Sequence, residues 1–235
     1  MKAHNIKNCQ LHEPAIMMDM NASGAMRAAL RGDVVLIVDV IDMSTSAEAL
    51  LEQGPLALFG AALDSSCPPV AVNPWGIGKL ASELANANGV NVVVVAEPRT
   101  DEIKRIASIS QLLAGIKYGG AKYSGPFPNM GSELGQLVDA AGQVVVIASA
   151  TGGVAWDAAH LHGAASVLTG TIARTVGKKG ATPAETAARR ILDAALAHRV
   201  DISVIAASGN SLEDILASQY IYTIVRQKLA AMSNE

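Results

Sequence analysis

The sequence predicts an α/β protein with a largely parallel sheet and covering helices, and three observations carry that expectation. Four short, β-branched apolar runs recur along the 235 residues, at 34–41, 91–96, 143–148 and 201–207. Runs of this kind read as strands buried on both faces. Each ends in polar residues and leads into a helix-like pattern, the alternation of successive βα units. Composition agrees, since 50% hydrophobic and 17% charged residues is the balance of a well-buried globular chain.

Taken in order, the first run is Asp33-Val-Val-Leu-Ile-Val-Asp39-Val-Ile-Asp42, with one carboxylate near its end and a second just beyond. Thr45-x-x-Glu48 then reads as a capping box for the helix that follows. Shorter strand candidates lie at 55–59 and 69–72. Pro74-Trp-Gly76-Ile-Gly78 holds a lone Gly-x-Gly and reads as a turn opening a helix rather than a dinucleotide fingerprint. The second run ends in Glu97-Pro98-Arg99-Thr100, and one amphipathic helix is expected from there to Leu113. Between 114 and 135 the periodicity disappears into a Gly- and Pro-rich stretch carrying Tyr118, Tyr123 and Phe127. A stretch that long without periodicity is read as a lid or interface loop.

The third run ends in Ser149-Ala-Thr151-Gly152-Gly153, ahead of a helix from Ala155. Another short strand is expected at 165–168. Thr182-Pro183-x-Glu185 combines an N-cap, a proline at the first helical position and a box glutamate, and its helix should reach about His198. The fourth run ends in Ser208-Gly209-Asn210-Ser211, and Ser211-x-x-Asp214 opens the last helix.

A single domain over residues 1–235 is expected at this length. A net charge of −3 gives no electrostatic attraction for nucleic acid, and 3% aromatics offers few base-stacking platforms. Mean hydropathy is high, at +0.30. No apolar stretch reaches the ~18–20 residues of a membrane helix, so no membrane partner is expected. The apolar surplus is assigned to a core and a subunit interface, which makes a homo-oligomer, a dimer first, the expectation. The stretch from Met1 to Cys9 lacks the apolar centre of a signal peptide. Cys9 and Cys67 form no disulfide framework, so the cytoplasm is the expected compartment.

If the strands are parallel, their polar ends meet on one rim of the sheet, where open α/β sheets place ligands. That rim would hold Asp39, Asp42, Glu97, Arg99, Ser149, Thr151, Ser208, Glu213 and Asp214. Carboxylates, hydroxyls and an arginine suit Mg2+ with a phosphorylated ligand, because hard cations take oxygen ligands and arginine grips phosphate. Structural roles compete: Glu213 and Asp214 fit the first turn of a helix, Asp42 a turn, and Glu97 with Arg99 a solvated pair. Asp39 is hardest to place that way, because a carboxylate within a buried strand is costly without a partner. Gly152 and Gly153 would let backbone N–H groups approach an anion. No Gly-x-Ser-x-Gly elbow is present, and the histidines form no zinc ligand set.

Asp39 through Ser46 resembles the strand of the 2-phosphosulfolactate phosphatase (ComB-like) family that ends in Asp-hydrophobe-hydrophobe-Arg-Ala-Thr-Thr/Ser. Ala96-Glu97-Pro98-Arg99 looks like its Gly-Glu-Arg segment, and the stretch from Tyr123 to Gly131 is similar to its Asn-Ser-Pro loop, keeping Asn129. The stretch from Ile147 to Gly153 stands where that family has Thr-Thr-Asn-Gly-Thr, and that from Ser208 to Asp214 where it has Ala-Gly followed by Ser-x-Glu-Asp. The resemblance is collinear over residues 33–225. Asp42 replaces the family arginine, Thr151 its asparagine, Gly153 its last threonine, and Arg174 a further asparagine.

The resemblance implies a three-layer α/β/α sandwich and Mg2+-dependent hydrolysis of a phosphate ester on a small acidic metabolite. It places Asp39 with Glu213 and Asp214 on the metal, with Asp39 and Glu97 as catalytic groups. Arg99, Asn129, Ser149, Thr151, Gly152, Gly153, Ser208 and Gly209 would bind substrate. The departures at 42, 151, 153 and 174 keep an alternative open: a non-hydrolytic relative that binds an acidic metabolite or cofactor intermediate, or one that catalyses a different reaction on it.

Overall fold

The computed structural model describes residues 13–232. Cys9 and the rest of the stretch read for a signal peptide lie outside them. The described elements are β1 (Ile16–Met20), α1 (Asn21–Arg31), β2 (Val34–Val38), α2 (Met43–Leu51), β3 (Ala57–Ala62) and α3 (Pro74–Asn88). Then come β4 (Val92–Ala96), α4 (Glu102–Ala107), α5 (Ser110–Gly119), β5 (Tyr123–Pro128), a 3-10 turn at Gly131–Glu133 and α6 (Leu134–Leu137). The chain ends with β6 (Val144–Ser149), α7 (Gly152–Leu161), β7 (Ser166–Gly170), α8 (Thr182–His198), β8 (Ile202–Ala206) and α9 (Leu212–Met232).

The expected α/β class and parallel pairing are both present, and the strands divide between two sheets. One is ordered β1-β8-β2-β7 and the other β3-β6-β4-β5, every pairing parallel. All five residues of β2 are buried, as its unbroken apolar run requires. Its residues alternate between two environments, as pleating dictates. Val34, Leu36 and Val38 pack with Ala187 and Ile191 of α8 and Ala217 and Ile221 of α9. Val35 and Ile37 join a core shared with α1, α2, α7 and the second sheet. Helices α2 and α7 touch strands of both sheets, so they lie between them. The second sheet also carries α3, against which α5 packs. Each sheet is therefore flanked by helices in an α/β/α arrangement.

Several local expectations change. The segment 69–72 is not a strand, and residues 114–135 are not an irregular loop: they hold the end of α5, edge strand β5, the 3-10 turn and the start of α6. Pro126 and Pro128 mask the helical and strand signals there, and both suit an edge strand, where a missing donor costs no ladder bond. The helix expected from 100 to 113 is broken into α4 and α5, with Asp101 capping α4 through the N–H of Lys104. The strand and helix at 16–31 carried no clear signal in the sequence.

The capping box at Thr45 is absent. Helix α2 starts earlier, at Met43, which leaves Thr45 inside it with its hydroxyl donating to the Val40 carbonyl. Glu48 is fully buried and paired with Arg190 and Lys178. Thr182 is the first residue of α8 rather than its cap. Ser211 does cap α9, accepting the N–H of Asp214 at 3.2 Å, and Asn73 opens α3 by accepting from Gly76 at 2.9 Å.

Candidate active site

The turn after β2 meets the ends of β4 and β6, so a strand of one sheet faces two of the other. In-register pairing of β2 with β7 and β8, and of β4 with β6, levels these carboxyl ends. Asp39 follows β2 directly and is 2% exposed. Its Oδ1 accepts the N–H of Asp42 at 2.9 Å, and its Oδ2 accepts the Thr151 hydroxyl at 2.8 Å and the Gly152 N–H at 2.7 Å. A buried carboxylate with three donors is satisfied, and two of those donors belong to the opposite sheet's βα turn. Asp39 thus occupies the anion position at the start of α7.

Glu97 follows β4. The Asn129 amide donates to its Oε1 at 3.2 Å and the Ala150 N–H to its Oε2 at 3.4 Å. Burial, then the Asp42 charge, push its pKa from the ordinary 4.5 up to about 7, against the pull of the Asn129 and Ala150 hydrogen bonds. Burial also raises Asp42, with Asp39 adding to the effect and Arg99 opposing it. Arg99 donates to the Ile41 carbonyl at 3.1 Å and lies 3.6 Å from the Asp42 carboxylate. From the first turn of α9, Asp214 accepts the Val40 N–H at 2.9 Å, and burial raises its pKa to about 6. Asp39, Ile41, Asp42, Thr151, Ser208 and Asp214 line a cleft of about 170 Å³.

The structure therefore brings together Asp39, Asp42, Glu97, Arg99, Asn129, Thr151, Ser208 and Asp214. Others among the expected residues are placed differently. Glu213 is exposed and hydrogen-bonds the Ser211 hydroxyl, outside the cleft lining. Ser149 is fully buried and its hydroxyl accepts the Gly153 N–H at 2.8 Å. The Gly209 N–H is held by Asn21 at 2.7 Å. The N–H groups of Gly152 and Gly153 are both taken by the protein's own side chains, so they do not form the expected phosphate cradle. Their glycines serve packing: a Cβ at 152 would stand 2.4 Å from the Asp39 carboxylate, and one at 153 would stand 2.1 Å from the Ala61 carbonyl.

Asn129 is fully buried and does not face the cleft as a substrate ligand would. Its amide also donates to the Asp42 carbonyl at 2.9 Å, and its oxygen accepts from the Ser46 hydroxyl. Ser46 was not singled out from the sequence; the run of three hydroxyls at 44–46 was its only signal. Asp42, which fits a turn by sequence, lines the cleft.

The donor set limits how a metal would be held. Asp39 accepts three protein donors and Asp214 hydrogen-bonds with Val40, Ser208 and Ser211, and among the described residues no group of three or more His, Cys, Asp or Glu is placed to hold a metal ion. Asp42 and Asp214 line the cleft beside Asp39, and Asp42 is the one of the three whose carboxylate accepts no backbone N–H among the bonds described. Two carboxylates match the share a protein commonly gives Mg2+ when substrate phosphate and water supply the rest. Among the described residues no helix is long and apolar enough to cross a membrane. No protein-family model matches this sequence, and neither does any curated protein.

Proposed function

We propose that the protein is a phosphatase-type hydrolase of a small phosphorylated acid, resembling the 2-phosphosulfolactate phosphatases, and that the substrate enters as its Mg2+ complex. The observation that carries this reading is the set of carboxylates meeting across the two sheets, with Asp42, Asp214 and Glu97 all raised by burial and Glu97 to about 7. A cleft lined by Asp39, Asp42 and Asp214, with Glu97 beside Asp42, repels a bare phosphate and favours one accompanied by a cation. Asp42 and Asp214 would hold the ion, which would neutralise phosphate charge and polarise the phosphorus centre. Arg99, 3.6 Å from the Asp42 carboxylate, would turn from the Ile41 carbonyl to a phosphate oxygen. Glu97 takes a proton from the attacking water as the new phosphorus–oxygen bond forms, and the departing ester oxygen collects a proton from solvent.

Phosphate release from phosphorylated three-carbon acids tests this with purified protein. Release with Mg2+ that is abolished by chelator, and reduced ~100-fold or more in Glu97→Gln, is the expected result. No release from any such acid, or full turnover in chelator, overturns it. The engagement of Gly152 and Gly153 N–H groups by Asp39 and Ser149 favours a second reading, a relative that binds an acidic metabolite without hydrolysis. Saturable binding without phosphate release selects that reading.

A further inference from the structure

Asn129 sits where the two sheets' contributions to the site meet. Its own N–H bonds the Ala96 carbonyl at 3.2 Å, which extends the β4–β5 pairing by one residue and sets the side chain beside Glu97. The side-chain NH2 then reaches across to the Asp42 carbonyl and the Glu97 carboxylate, at 2.9 and 3.2 Å. The amide oxygen accepts from Ser46, in the first turn of α2. A flipped amide would set its oxygen against two acceptors and leave Ser46 facing an NH2, so the orientation is fixed by chemistry.

We propose that Asn129, locked by Ser46, is a positioning residue that holds the Glu97 carboxylate at a set distance from the turn bearing Asp42. The role rests on the hydrolase reading above for its catalytic consequence, though not for its geometry. Glu97 and Asp42 belong to different sheets, and no strand pairing fixes their separation. Within this arrangement the buried amide bridges the two segments beside the direct Asp42–Glu97 side-chain hydrogen bond, with neither Asn129 nor Ser46 in the cleft lining. Among the described residues Glu97 also receives the longer contact from Ala150 at 3.4 Å and hydrogen-bonds the Asp42 carboxyl, so loss of the amide removes the shorter of its two amide donors.

The test uses the full-length, metal-free protein at one pH. The carboxyl 13C signal of Glu97, assigned by its loss in Glu97→Gln, is compared in wild type, Asn129→Ala and Ser46→Ala. A shifted or broadened signal in both variants is expected, because the carboxylate samples new rotamers. Ser46→Thr, which keeps the hydroxyl, should restore the wild-type line. On a phosphorylated acid with Mg2+, kcat should fall about tenfold or more in Ser46→Ala while KM stays within about threefold. An unmoved Glu97 signal in Ser46→Ala overturns the positioning role whatever the enzyme's activity, and so does a loss of rate that only tracks the unfolded fraction. A moved Glu97 signal in a protein that releases no phosphate upholds the positioning role and overturns the hydrolase reading instead. Should Asn129→Ala fail to fold, the Ser46 pair decides the matter.

Discussion

Glu97 carries a prediction at the scale of a single residue. Its carboxyl holds a proton more tightly in the folded protein than in the unfolded chain, about 7 against 4.5. A raised carboxyl pKa means that the folded state binds the extra proton between those values, so stability falls as pH rises through that window. The change corresponds to roughly 3 kcal/mol for Glu97, from the linkage of pKa to free energy. Urea midpoints of the metal-free protein should therefore decline between about pH 5 and pH 8, and Glu97→Gln should flatten that decline. An equal slope in the variant would contradict the assignment. In the proposed hydrolysis the same group would have to lose its proton to act as a base, so kcat/KM should rise with pH and level off above about 7.

The residue types at the site were readable from the sequence better than their duties. Asp39 stood out because a carboxylate beside a fully apolar run needs partners, and the structure supplies three donors to it. Which partners those were could not be read, since two of the three come from the far sheet. Ser149 and Asn129 carry functional groups at the expected places but spend them inside the protein. Sequence position placed these residues at the rim; only packing decided which faced inward.

Among the elements, the strands were most legible and the segments around them least. β2, β4, β6 and β8 are five- or six-residue apolar runs whose burial matches their composition. β5 was hidden because its glycine and prolines imitate a loop, while its edge position tolerates them. Glu48 was misread because a capping glutamate and a buried ion-pair partner look alike in sequence. Here it receives Arg190 at 3.0 Å, from a helix about 140 residues away in the chain. α7 offers the element-scale prediction. Its start lies so close to β3 that Gly153→Ala would press a methyl on the Ala61 carbonyl. Overpacking of this kind costs on the order of 1–3 kcal/mol, which should lower Tm by roughly 2–4 °C per kcal/mol in a chain of this size. Activity should fall with it, because the same shift draws the Gly152 N–H away from Asp39. A Gly153→Ala protein with unchanged Tm would show that the glycine is not there for packing.

At the scale of the whole molecule, the site belongs to neither sheet alone. Parallel pairing within each sheet aligns its own strand ends, while the turns leading from the strands into α2 and α7, the helices lodged between the sheets, carry most of the groups that connect them. Asp39 with Thr151 and Gly152, Arg99 with Ile41, and Asn129 with Asp42 are the cross-connections. The α/β class follows from the repeated run-and-helix grammar, but the division into two sheets does not, because a crossover leaves no mark in local periodicity. That division is what brings Thr151 of one half into a cleft whose carboxylates, Asp39, Asp42 and Asp214, come from the other, with Glu97 beside Asp42.

Calorimetric titration of Mg2+ into the metal-free protein, with and without saturating inorganic phosphate, tests that joint site most directly. On the proposed reading Asp42 and Asp214 would leave the ion's coordination incomplete, so Mg2+ should bind at least about tenfold more tightly with phosphate present, whose oxygens would complete the shell. The gain should disappear in Asp214→Asn. Binding of equal strength with and without phosphate, or no binding in either case, would contradict a cleft built to take the two together.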